Sequence, residues 1–318
     1  MKSTSPIAVA SRSFSKHTLL RSELLERYSN VQFNDKGISL SGDNLINFAK
    51  DKEKLIIGLE TIGEAILSRL PELKVISKYG VGTDKLDLTA ISSRGIRLGW
   101  TPGVNKRSVT ELAIAFMISI LRKLPQIQLD IRQGIWKNVI GKQLSEQTVG
   151  IIGCGNIGKD LATILCSFGC KALVNDILDF PDFYKAYDVE PVALDELLNR
   201  SDIVTLHVPL NESTKGILGP DQLRKMKAGA ILINTARGGL VDEAELKRLL
   251  KDGKLAGAGF DVFCSEPPED LELLKLPNFI ASPHIGGSSE EAVLAMGRAA
   301  IEGLDKNEIP GGNYPPRH

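Results

Sequence analysis

A chain of 318 residues is longer than one hydrophobic core usually serves, so two domains are expected. Lys plus Arg and Asp plus Glu number 39 each, a formal net charge of +0, which argues against the basic face that a nucleic-acid partner would need. The N-terminus lacks the apolar stretch of a signal peptide, no uncharged span of about 18 residues occurs, and Cys154, Cys166, Cys170 and Cys264 have neither C-x-x-C spacing nor nearby histidines, so the expectation is a cytoplasmic protein with reduced thiols, no membrane partner and no metal site.

From the N-terminus, strand and helix alternate. Apolar runs predict strands at Ile7 to Ser11, Leu55 to Leu59, Leu73 to Ser77 and Ile96 to Gly99, with helices at Thr18 to Tyr28, Gly63 to Leu70 and Asp87 to Ser93. This pattern is a small α/β domain with a mostly parallel sheet. The loop Tyr79-Gly80-Val81-Gly82-Thr83-Asp84 follows a strand, where open α/β sheets bind ligands; its glycines would let backbone N–H groups approach an anion, and Lys78 adds a nearby charge. Thr101 to Asn105 reads as an interdomain hinge, because Pro and Gly break a strand before a long helix. Ser108 and Glu111 are read as the capping box of that helix, Val109 to about Leu124, which is apolar on most faces and is expected to be buried between domains or subunits, hence a homodimer.

The next stretch, Gln147 to Asp176, organises the rest. Thr148 to Ile152 is a buried-strand pattern ending in Gly153-Cys154-Gly155-Asn156-Ile157-Gly158, followed by a helix over Lys159 to Phe168 and a strand over Lys171 to Asn175. Gly153 turns the chain off the strand, Gly155 removes the side chain that would block a pyrophosphate, and Gly158 lets helix and strand pack closely. The N–H groups of the helix terminus then face the phosphates. Asp176 is placed to accept hydrogen bonds from the ribose hydroxyls and to repel a 2′-phosphate, and Ile177, Leu178 and Asp179 offer no Arg to receive one, so NAD is expected over NADP.

Alternation resumes beyond Asp176. Helices are predicted at Leu194 to Asn199, Pro220 to Met226 and Asp242 to Leu250, and strands at Ile203 to Val208, Ala230 to Thr235 and Leu255 to Val262, enough for a doubly wound sheet. A second hinge is expected near Pro283, after which a helix from Ser289 to about Leu304 returns to the first domain; the tail from Pro310 to His318 is expected to be irregular. Three polar residues follow strands: Arg237, Glu266 and His284. Hydride transfer between NAD and a hydroxy acid needs a base for the hydroxyl proton, a role His suits, while Arg can fork onto a carboxylate. Taken alone, an Arg or Glu in a loop is more often a solvated charge and a lone His more often structural, and spacing does not pair Glu266 with His284.

The blocks YGVGTDKLDL, TPGVNKRSVTELAIAFM, VGIIGCGNIG, LHVPLNESTKGIL, MKAGAILINTARGGLVDE, AGAGFDVFCSEPP and NFIASPHIGGSS together resemble the D-isomer-specific 2-hydroxyacid dehydrogenase family over nearly the whole chain. The resemblance implies two doubly wound Rossmann/flavodoxin-like domains with a cleft between them: residues 1–101 with 285–318 for substrate, and 102–284 for NAD. It implies His284 as acid/base, Glu266 as its partner and Arg237 as the substrate-orienting group. It also implies Gly80, Val81 and Gly82 on the substrate carboxylate and Asp261 on the nicotinamide carboxamide. His207, Pro209, Thr214, Thr235, Ala236 and Gly287 would line the cofactor beside Asn156, Ile157 and the three turn glycines, and the dimer would be built on the cofactor domain. Glu266 disfavours formate, since formate dehydrogenases of this fold carry an amide there. The chain looks most like the phosphoglycerate dehydrogenase branch without its regulatory domain, so 3-phosphoglycerate is a candidate substrate and control by serine is not expected. Trp100 and Lys85 depart from the family pattern, and Arg12, Lys78 and Arg97 are candidates to meet a phosphate. The alternatives are a phosphite dehydrogenase-like enzyme and a dinucleotide-sensing corepressor-like binding protein, which keeps the same three residues.

Overall fold

In the computed structural model, which describes residues 2–311, apolar runs form strands whose alternate side chains enter opposite cores. The chain divides into two units, Met1–Asn105 with Ser289–His318, and Lys106–Ser288. The tail lies, beyond Gly311, outside the described residues.

The first unit carries β1 (Ile7–Val9), β2 (Val31–Phe33), β3 (Lys54–Ile57), β4 (Val75–Lys78) and β5 (Arg97–Gly99), all parallel, in the order β2-β1-β3-β4-β5. Ile7, Val9 and Ile56 enter one core with Phe14 and Leu20, while Ala8, Leu55 and Ile57 enter the other with Leu45 and Leu67. Burial on both faces is what a parallel sheet requires. β1 stops at Val9 rather than Ser11, because Ser11 caps a helix, Arg12–Lys16, its hydroxyl accepting from the Phe14 N–H at 3.4 Å. β2 and the helix Gly42–Ala49 are additions to the sequence reading. The strand is too short to show a period, and the helix opens on Gly-Asp-Asn, poor helix formers that burial of Leu45, Ile46 and Ala49 outweighs. The final helix, Glu290–Gly303, is capped by Ser289 and closes on β4 and β5: Ser77 Oγ donates to the Ala300 carbonyl at 2.6 Å. A Cβ on Gly99 would stand 2.2 Å from the Gly303 carbonyl oxygen, so only glycine permits that approach.

The second unit holds seven parallel strands: β6 (Thr148–Ile152), β7 (Lys171–Asn175), β8 (Val189–Pro191), β9 (Ile203–Leu206), β10 (Ala230–Asn234), β11 (Leu255–Phe260) and β12 (Phe279–Ala281). Their order, β12-β11-β10-β9-β6-β7-β8, reverses direction between β6 and β9, the switch point where a doubly wound sheet opens a ligand crevice. Ile151, Ile203, Ile231 and Ile233 enter one core; Ile152, Val204 and Leu232 enter the other.

The long apolar helix departs from expectation in three respects. It begins at Lys106, so Ser108 lies inside its first turn and caps nothing; Ser108 Oγ instead donates to the Gly286 carbonyl at 2.6 Å. Its apolar side chains, among them Ala113, Phe116, Met117 and Leu121, pack in the second unit's own core. It ends at Leu121, and after a left-handed Lys123 (φ 55°) a second helix, Leu124–Arg132, continues at 62°. That helix buries no residue, and the apolar surface is exposed there and beyond it, at Leu124, Leu129, Ile131, Ile135, Trp136 and Ile140. Among the described residues no single helix is long and apolar enough to cross a membrane.

Candidate active site

The glycine turn after β6 is shaped by close backbone approach. Gly153 adopts φ 101°, and a Cβ there would stand 2.7 Å from the His207 carbonyl oxygen. A Cβ on Gly158 would stand 1.9 Å from the Gly153 carbonyl oxygen, whereas one on Gly155 would meet nothing within 4 Å. The turn is therefore closed where helix meets strand and open where a pyrophosphate would lie. Asn156 and Ile157 open the helix Asn156–Ser167, leaving its first N–H groups toward that space. Between the glycines, burial pushes the Cys154 thiol up to about 11, so it brings no negative charge to a phosphate site. Asp176, after β7, accepts from the Cys154 N–H at 2.5 Å and the Leu178 N–H at 2.9 Å. These bonds use about half of a carboxylate's lone-pair sites and aim it along the turn.

Across the switch point, His207 follows β9. Its Nε2 pairs with Thr205 Oγ1 at 2.9 Å, and burial lowers the ring to about 3, so it is neutral. Its Nδ1 and the Thr235 hydroxyl are buried without a hydrogen-bond partner among the described residues. Buried polar atoms are seldom left so, and the unpartnered His207 ring nitrogen, next to the turn, suits a polar ligand there. Ala236 is buried alongside, and Gly287 is half-buried. Pro209 is exposed, and its carbonyl accepts from the Thr214 hydroxyl at 2.6 Å, so Thr214 is committed within its own turn.

The three polar residues from strand ends are brought to one edge of the sheet. His284 Nδ1 lies 2.8 Å from Glu266 Oε2. An ionised carboxylate only accepts, so Nδ1 carries the proton and Nε2 is left to exchange one. The Glu266 Oε1 accepts from the Phe263 N–H at 3.2 Å. His284 has φ 56°, a left-handed backbone uncommon outside glycine. Hydrogen bonds link its loop to that of Arg237: the His284 N–H donates to Asp261 O and the Asp261 N–H to Asn234 O, each at 2.9 Å, and the side-chain Nδ2 of Asn234 donates to Arg237 O at 2.9 Å. A Cβ on Gly238 would stand 1.9 Å from the Phe263 carbonyl oxygen, so the Arg237 and Glu266 loops touch backbone to backbone. The guanidinium of Arg237 donates to Ala236 O at 2.7 Å. Asp261, 1% exposed, accepts from Ser282 Oγ and from the N–H groups of Ile285 and Gly286, both at 2.7 Å. Asn234, Ser282 and Ser108 were not singled out as site residues from sequence, because no short motif flags a residue whose role is to hold another loop.

In the first unit, the loop after β4 is held from two sides. Gly80 has φ 121°, Val81 O accepts from Trp100 Nε1 at 2.8 Å, and the buried Lys78 donates to the carbonyls of Gly58 and Tyr79. A trans peptide puts carbonyl and following N–H on opposite sides, so the bond to Trp100 turns the Gly82 N–H away from the indole. Of the phosphate candidates, Arg97 binds Asn307, its Nε reaching Oδ1 at 2.6 Å, Lys78 is engaged as described, and Arg12 is exposed.

A model of the D-isomer specific 2-hydroxyacid dehydrogenase NAD binding domain matches residues 114–286, which include the glycine turn, Asp176, Arg237, Glu266 and His284. A D-3-phosphoglycerate dehydrogenase of Archaeoglobus fulgidus is 38% identical over 83% of this chain; the chain spans about half, 51%, of that protein's length. A glyoxylate reductase of Korarchaeum cryptofilum is 38% identical over 84% of this chain and 83% of its own. Among solved structures, a D-lactate dehydrogenase from Aquifex aeolicus complexed with NAD and lactic acid matches with a TM-score of 0.82 at 27% identity, covering 93% of each chain. The residues present fit the cofactor of that domain: the open side of Gly155, the unpartnered His207 Nδ1 and Thr235 hydroxyl, and the remaining lone pairs of Asp176.

Proposed function

Because the chain belongs to the D-isomer specific 2-hydroxyacid dehydrogenase family, we propose that it interconverts a D-2-hydroxy acid and its 2-keto acid with NAD. The observation that carries this reading is the His284–Glu266 hydrogen bond at 2.8 Å, in a loop tied through Asp261 and Asn234 to Arg237. NAD, when bound, accepts the hydride from C2 of the hydroxy acid and returns it in the reverse direction. Nε2 of His284 takes the hydroxyl proton during oxidation and gives it to the developing alkoxide during reduction. Glu266 holds the tautomer and compensates the imidazolium charge. Arg237 forks onto the substrate carboxylate and stabilises negative charge at the carbonyl oxygen. The N–H groups of Gly80, Val81 and Gly82 are offered to an anionic group of the substrate, a role supported by their strand-end position. Asp261 has lone-pair capacity left for the nicotinamide carboxamide after its three loop bonds.

Residues 102–284 accordingly serve NAD, and 1–101 with 285–318 serve the substrate. Two copies associate through the apolar surface from Leu124 to Ile140, where Trp136 is 90% and Ile140 88% exposed, shifted from the helix first suspected. The four free cysteines suit the reducing cytoplasm.

The test follows NADH absorbance with 3-phosphohydroxypyruvate, hydroxypyruvate, glyoxylate, pyruvate, 2-ketoisocaproate and phenylpyruvate. Turnover of one establishes the reaction and names the substrate class; NADH binding with every keto acid inert would overturn it in favour of a dinucleotide sensor.

A further inference from the structure

We propose that Ser108 is a positioning residue for His284, acting through the carbonyl of Gly286; this rests on the reading of His284 as the proton-transfer group. The need for such a residue follows from exposure. The side chains of His284 and Glu266 are 49% and 40% exposed, and a hydrogen-bonded pair so open to water is too weak to fix a ring by itself. The direction of the imidazole then rests on its backbone, which is left-handed at φ 56°, a conformation that persists in a residue with a Cβ only when its surroundings impose it.

The surroundings impose it from two sides. From the end of β11, Asp261 gathers the loop, its carboxylate accepting from Ser282 Oγ, Ile285 N–H and Gly286 N–H and its carbonyl from His284 N–H. From the helix Lys106–Leu121, Ser108 Oγ donates to the Gly286 carbonyl at 2.6 Å. Gly286 is buried between these two holds: a Cβ there would stand 3.0 Å from Asp261 Oδ2 and 3.4 Å from Val109 Cγ2. One residue therefore has its N–H on Asp261 and its carbonyl on Ser108, and a side chain there would press on the Asp261 carboxylate. The helix is in turn anchored by Val109, Ala113 and Phe116, all buried, so the hydroxyl is a fixed point rather than a floating one. Ser108 lies just after the chain enters the second unit at Lys106, and Gly286 just before it leaves at Ser288, so this bond joins the incoming and outgoing segments beside the histidine.

The experiment compares Ser108→Ala and Ser108→Thr in the full chain. Misplacing a reacting group by about 1 Å costs up to about 100-fold in rate. We expect Ser108→Ala to lower kcat by about 10-fold with KM and NADH affinity within about twofold, and Ser108→Thr, which restores the donor, to recover it. Independently of turnover, the hydrogen-bonded Nδ1–H proton of His284, one of four histidines, should give a downfield NMR signal that Ser108→Ala broadens and Ser108→Thr restores. If Ser108→Ala keeps both kcat and the signal, even with a lowered melting temperature, Ser108 is merely structural and the proposal fails. Loss of the signal in an enzyme that turns over no keto acid even as wild type would uphold the clamp and sink the acid/base reading instead. Should Ser108→Ala not fold, Ser108→Cys keeps the size with a weak donor and must show the same loss of signal.

Discussion

The two loops assigned to anions, one in each unit, are built on opposite principles. After β6 the turn is shaped by exclusion: Cβ atoms on Gly153 and Gly158 would stand 2.7 and 1.9 Å from carbonyl oxygens of rigid backbone. After β4 the loop is shaped by tethers: a Cβ on Gly80 would meet only the tip of Lys78, 3.4 Å away, and the peptide is held by Trp100 and Lys78. A turn built by exclusion admits only glycine at its contact points, whereas the tethered loop, though Gly80 at φ 121° also favours glycine, depends on the side chains that hold it. On the proposed function, the first would serve NAD and the second the substrate.

The largest effect on NADH affinity should come from breaking the excluded side. Gly158→Ala forces a methyl against the Gly153 carbonyl, and overpacking at backbone costs up to about 3 kcal/mol, so NADH affinity measured by fluorescence should fall by about 100-fold. Affinity within a few-fold of wild type would mean that the turn yields and that exclusion does not shape it.

His284→Ala separates chemistry from both loops. Removing a general acid–base costs about 100- to 10,000-fold in kcat, while NADH affinity and KM should stay within a few-fold because neither loop is touched. An undiminished kcat would remove His284 from proton transfer.

Trp100→Phe sharpens the tethered side. It keeps the ring in its packing and deletes the bond to Val81 O, worth about 0.5–1.5 kcal/mol, so KM for the keto acid should rise about 3- to 10-fold at constant NADH affinity. A change in NADH affinity with KM unmoved would assign Trp100 to the wrong loop.

The smallest effect concerns His207, whose carbonyl backs Gly153. Its ring is held near 3 in the folded protein against an ordinary 6.5, so between those values the unfolded chain binds a proton that the folded one refuses. Stability is intact above 6.5 and falls as pH drops toward 3, by at most about 1.4 kcal/mol per unit from this group. His207→Gln should flatten that slope in urea titrations between pH 6.5 and 4; an identical slope would show that the ring is protonated when folded.

The sheet of the second unit was legible because its signal is local. Thr148 to Asp176 places strand, glycine turn, helix, strand and acid in unbroken succession, and β7 runs from Lys171 to Asn175 as expected. Reading failed where segments were short, as at β2, or where one residue type serves two roles. Ser108 followed three residues later by Glu111 has the spacing of a capping box, yet the helix starts earlier, since Ala113, Phe116 and Met117 are buried along a helix that extends back to Lys106. Its hydroxyl was free to bond elsewhere.

The sequence by itself determined the α/β alternation, the nucleotide turn and, through the family resemblance, the expectation that His284, Glu266 and Arg237 form the site. Only the tertiary structure decided how those residues are held: Ser108 meets Gly286 across 178 positions, Asp261 meets Ser282, Ile285 and Gly286 across 21 to 25, and Trp100 meets Val81 across 19. The reason is physical. Periodicity and turn chemistry report forces between neighbours along the chain, whereas a hydrogen bond between distant loops exists only once packing has brought donor and acceptor together, and any of several serines would read the same until it does.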